Sequence, residues 1–121
     1  MYDIKADTAH DLIEVKLGGL MPLDEVAAYI ADLKRTISTH DFSDYAMIID
    51  VSECPIQSQD MIKAMGAHMA TMPKARSLAI VTGSSLARMQ IKRLFTQPYA
   101  RIVASVEDGR AWVVSGTEPP A

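Results

Sequence analysis

A single cysteine, Cys54, stands among the 121 residues. One thiol cannot close an intramolecular disulfide, so nothing in the sequence points to an oxidising compartment. Positive charge is also scarce: 12 lysines and arginines against 15 aspartates and glutamates give a net charge of -3 and a pI near 5.5. A general nucleic-acid binder is usually basic, so that class is set aside, although a local basic patch is not. The first residues lack the basic stretch and apolar run of a secretory signal. No apolar run approaches the ~20 residues that span a bilayer. The expectation is a soluble, cytoplasmic protein with no membrane span, no internal repeat and no low-complexity segment.

What remains is ordinary globular composition, 49% hydrophobic and 22% charged, in a length that supports one core. Residues 1–114 read as a single domain and 115–121 as a flexible tail. Tyr2 to Ala6 and Ile13 to Leu17 alternate in polarity, joined by the polar link Asp7-Thr8-Ala9-His10-Asp11, which predicts a hairpin. Leu23, Val26, Ile30, Leu33 and Ile37 recur at helical spacing, with Asp24 and Glu25 early and Lys34 and Arg35 late, complementing a helix dipole. Tyr45 to Val51 is a nearly unbroken apolar run, the pattern of a central strand buried on both faces. A loop, Ser52 to Gln57, leads to a second helix from Ser58 to about Thr71. Leu78 to Val81 is a further buried strand, Ser85 to Thr96 a third helix stopped by Pro98, Arg101 to Val106 a last strand, and Glu107 to Val114 a last helix. The order β-β-α-β-α-β-α-β-α predicts an α/β fold: a mixed, mostly parallel five-stranded sheet with an antiparallel first strand and four helices.

That order, with Ile48-Ile49-Asp50-Val51-Ser52 followed by a helix, resembles the STAS-type domains, relatives of the bacterial anti-sigma-factor antagonists. The runs Met89-Gln90-Ile91-Lys92-Arg93 and Gln97-Pro98-Tyr99-Ala100-Arg101-Ile102 resemble, more closely, the bacterial SpoIIAA-like family of the same fold. The resemblance implies strands in mostly sequential order with the first one antiparallel at an edge. It also implies a non-catalytic regulatory domain that binds a protein partner. In the antagonists a serine at the start of the helix after the central strand is phosphorylated, within an approximate Asp-Ser-Ser-Gly-Leu motif. This chain has Ser58-Gln59-Asp60-Met61-Ile62 there, so the switch serine is missing or shifted to Ser58.

Residue by residue, the chemistry is sparse. Ser58 is a candidate phosphorylation site, since a helix start favours added negative charge, but a serine there more often serves as a cap. Cys54-Pro55 has no second cysteine for a redox pair and no arginine to close a phosphatase-type loop, so a structural cysteine is the better reading. Met61, Met65, Met69 and Met72 fall at three- and four-residue steps, as core-facing residues do; exposed, they would suit a small apolar ligand or lipid. On the third helix Arg88, Lys92 and Arg93 form a cationic stripe suited to an acidic partner, with Leu86, Ile91, Leu94 and Phe95 expected to face the core. His10, His40 and His68 are scattered, which supports neither a metal site nor a nucleophile–base pair. No cofactor motif is present.

The reading is a binding or regulatory domain rather than an enzyme. Its candidate partner or ligand residues are Ser52, Gln59, Met61, Met65, Arg88 and Lys92. The alternative is a carrier of a small apolar ligand or lipid. Open sheet edges also make a homodimer an expectation.

Overall fold

Alternating polarity in the first segments builds a hairpin of β1 (Tyr2–Asp7) and β2 (Leu12–Gly18). The pairing is antiparallel, with Ile4 opposite Val15 and Asp7 opposite Leu12. Its turn is held by the Asp7 carboxylate, which accepts from the Ala9 amide at 3.1 Å. Asp11 closes the turn at φ 49°, a left-handed conformation that aspartate tolerates better than most residues. The computed structural model describes residues 1–19, 22–39, 45–53, 75–94 and 98–119. Its remaining elements are α1 (Leu23–Thr39), β3 (Ala46–Glu53), β4 (Ser77–Val81), α2 (Ser85–Leu94), β5 (Ala100–Val103) and α3 (Val106–Ser115). The helix expected from Ser58 to Thr71 lies outside the described residues, among which there are three helices.

The five strands lie in the order β1-β2-β3-β4-β5, with β1 antiparallel to β2 and every other neighbouring pair parallel. This is the mixed sheet that the sequence predicts. Helices cover both faces. Val26, Tyr29, Ile30, Leu33 and Ile37 of α1 and Ile91 of α2 join Ile13, Val15, Leu17, Met47, Ile49, Leu78 and Ile80 in one core. Leu12, Ala46, Ile48, Ala79, Val81 and Val103 point the other way, against Val113 of α3. Tyr45 to Ile49 is buried throughout, because a central strand between two helical layers has no solvent side. Leu23, at the start of the apolar stripe, departs from expectation and is exposed, one turn ahead of the first residue that reaches the sheet. Arg35 also differs: α1 continues past it, and it pairs with Asp32 at 2.9 Å instead of meeting the helix end.

The last strand is shorter than predicted, because Ser105 leaves it to cap α3. The Ser105 side chain, in an extended backbone, accepts from the Asp108 amide at 3.1 Å. Glu107 and Asp108 in the first turn complement the dipole. At the far end Gly116, at φ 70°, makes the left-handed turn, and the Thr117 amide reaches back to the Ala111 carbonyl. A helix this short is marginal alone, so its caps count. Ser105→Ala should lower unfolding free energy by about 1 kcal/mol, and Ser105→Asp should not; urea denaturation of the two variants checks this.

Candidate functional site

In a parallel sheet the loops beyond the carboxyl ends of the strands are the usual place for recognition. Here that rim is built from β3 and β4. Asp50 pairs with Val81, which sets the end of β3 beside the Thr82–Ser84 link into α2. Ser52, predicted as a contact residue, is exposed there. Its amide and its hydroxyl both donate to one oxygen of Asp50, at 3.0 and 2.6 Å, so the hydroxyl is oriented rather than free to rotate.

The neighbouring link is equally well held. Thr82 is buried and its hydroxyl oxygen accepts from the Ser84 amide at 3.2 Å. Ser84 then caps α2, its side chain accepting from the Ala87 amide at 3.2 Å. These two hydrogen bonds define how the link enters α2.

The sequence places Leu86 in the core, but in the fold it is 60% exposed, as is Met89 at 58%. The two lie three residues apart on one side of α2, while Ile91 on the other side enters the core. Spacing alone left the buried face open, and among the described side chains Ile91 marks it; the Leu94 side chain and Phe95 lie outside the described residues. Lys92 and Arg93 are exposed and Arg88 is half-buried, so the apolar pair is bordered by cations. Arg101 lies apart from these cations. It lies on the opposite side of the sheet, 4.2 Å above the Trp112 ring, with its Nε donating to Glu118 at 2.7 Å. The segment read as a loose tail is therefore tied to the edge strand at Glu118 and capped at Gly116. Ser58, Gln59, Met61 and Met65, with Cys54, Met69 and Met72, lie outside the described residues. Phosphorylation and the methionine-lined carrier surface rest on them.

Two groupings escaped the sequence reading. Arg110 of α3 donates to Glu14 of β2 and, at 3.4 Å, to Asp7, whose other neighbour is the His10 ring nitrogen at 3.0 Å. The hydrogen bond with His10, followed by the contact with Arg110, holds the Asp7 carboxyl below its ordinary value. This network locks the hairpin turn to α3 across about the full length of the chain, and its partners carry no local spacing signal. The second is a wide-open hollow of about 440 Å³ lined by Ser77, Pro98, Tyr99, Trp112 and Val113, where the indole N–H donates to the Tyr99 carbonyl at 3.2 Å.

Among the described residues no cluster of three or more histidine, cysteine, aspartate or glutamate side chains is placed to hold a metal ion. No described helix is long and apolar enough to cross a membrane. Comparison with protein-family models, with curated proteins and with solved structures finds no match to this chain.

Proposed function

We propose that this chain is a non-catalytic regulatory domain of the SpoIIAA-like, STAS-like type, and that it binds an acidic protein partner through the β3–β4 rim and the outward side of α2. The observation that carries the reading is the exposure of Leu86 and Met89 on a helix whose opposite side is buried. Single exposed apolar residues are common on any protein; here two lie three residues apart on one side of a helix, where a partner can cover both at once. Arg88, Lys92 and Arg93 would supply the polar rim and favour a negatively charged surface, chiefly by speeding encounter. The resemblance in Ile48 to Ser52, Met89 to Arg93 and Gln97 to Ile102, together with the sequential strand order, supports the assignment to that type.

The test places a photo-reactive amino acid at position 85, exposed on α2 beside Leu86 and Met89, in the cell that makes the protein. A discrete crosslinked protein should appear, and Arg88→Glu with Lys92→Glu should remove it without changing the melting temperature. Leu86→Ser with Met89→Ser should likewise abolish capture while altering stability by no more than about 0.5 kcal/mol, as expected of surface positions. Undiminished crosslinking in both variants, or unfolding of the serine variant, would sink the proposal.

A further inference from the structure

The sheet ends at β1, with which no described strand other than β2 pairs. The phase of the ladder shows which groups point outward. Met1 and Gly18 exchange both backbone hydrogen bonds, at 2.9 and 2.8 Å, so the odd-numbered residues of β1 face β2. The amides and carbonyls of Tyr2, Ile4 and Ala6 therefore point away from the sheet. Beside them runs an open groove of about 380 Å³, lined by residues 2–4 of β1 and by Asp32, Arg35, Thr36 and Thr39 of α1, so α1 leaves the edge accessible. On the opposite face β1 shows Asp3 and Lys5, both exposed, and these sit across from Lys16 and Glu14 of β2. These four side chains thus form a checkerboard of alternating charge at the edge of the face that α3 covers.

We infer that the β1 edge is a self-complementary docking strand whose partner is the β1 edge of a second copy of this chain. In an antiparallel pairing about a two-fold axis through Ile4, Ile4 lies opposite Ile4 of the second copy and Tyr2 opposite Ala6. All the outward backbone groups of these residues are then paired. The same register sets Asp3 opposite Lys5 and Lys5 opposite Asp3, continuing the checkerboard from one sheet into the next. Pairing must keep the even residues opposed, so the nearest alternatives are shifts by two positions. One sets Asp3 against Asp3. The other sets Lys5 against Lys5 and Asp3 against Asp7. Like charges directly opposite one another are unfavourable, so the charges select the first register. The axis stands perpendicular to the sheet and places both copies of α1 on one face, with Ile4 and Tyr2 covered between them. This leaves the rim and α2, at the other side of β3, free for a different partner, and the inference does not depend on one.

Sedimentation equilibrium with charge-swapped variants tests it. Wild-type protein should show a reversible dimer. Asp3→Lys, which leaves two lysines on the edge, and Lys5→Asp, which leaves two aspartates, should each weaken self-association by roughly tenfold or more. An equimolar mixture of the two should recover a heterodimer at least as tight as the wild-type dimer, because every opposed pair then carries opposite charge. Both positions are exposed, and circular dichroism of each variant confirms that the fold is kept. A wild-type monomer throughout, single variants that dimerise like wild type, or a mixture that stays monomeric would each overturn the proposal.

Discussion

Between pH 10 and 12 the protein should lose stability steeply, by about 2–3 kcal/mol for each of Tyr29 and Tyr45. Both rings are buried in the core between α1 and the sheet, at 3% and 1% exposure. Burial pushes the Tyr45 phenol from 10.0 up to about 12, with a smaller contribution from Tyr99. Burial raises Tyr29 further, and the neighbouring Tyr45 adds to it. The sign follows from proton uptake. Above pH 10 the unfolded chain gives up these protons while the folded chain keeps them, so each further pH unit favours unfolding by about 1.4 kcal/mol per tyrosine. Below pH 10 both states hold the protons and the two residues contribute no pH dependence. Set against a total stability of about 5–15 kcal/mol, the combined loss of about 4–6 kcal/mol is a large share of it by pH 12. Urea titrations at successive pH values give the slope directly. Tyr29→Phe should reduce it by about 1.4 kcal/mol per pH unit in this window. An unchanged slope would mean that the phenol ionises in the folded state.

Gly109→Leu should cost about 3 kcal/mol or more, while Gly109→Ala should be close to neutral. A glycine inside a helix is unfavourable by about 1 kcal/mol relative to alanine, so its presence in α3 needs a reason. The reason is distance. A β-carbon at this position would lie 3.3 Å from Cβ of Ala79, 3.5 Å from Cγ2 of Val103 and 3.7 Å from Cγ2 of Ile48. The helix backbone rests almost directly on β3, β4 and β5. A methyl group needs a shift of a few tenths of an ångström, which the gain in helix propensity offsets. A leucine has no room and must lift α3, exposing Val113 and the small residues Ala46 and Ala79 beneath it. Urea midpoints for the two variants check this. A leucine variant within about 1 kcal/mol of wild type would show that α3 can ride higher on the sheet.

These two effects mark where the chain's own pattern was readable and where it was not. The nearly unbroken apolar run from Tyr45 to Val51 announces burial on both sides, which holds from Tyr45 to Ile49 and lapses at the half-buried Asp50 and Val51. Glycine at 109, by contrast, looks like a weak point in a short helix until Ala79 and Val103 are seen underneath. The site divides in the same way. Arg88 and Lys92 are legible as a cationic stripe because charge at four-residue spacing is a local property. Leu86 reads as core for the same local reason, since spacing tells which residues share a helix face but not which face the sheet covers. The ties from Arg110 to Glu14 and Asp7 join positions at opposite ends of the chain, and no local pattern carries them.

By itself the sequence determined the types of the described elements, the mixed and mostly parallel sheet, and most of the core, because these depend on periodicity and on turn and cap residues close in the chain. Tertiary structure alone decided which side of α2 faces solvent, how closely α3 lies on the sheet, and which carboxylates Arg110 meets. Each of these is a relation between segments distant in the chain, set by which surfaces come together when the sheet assembles.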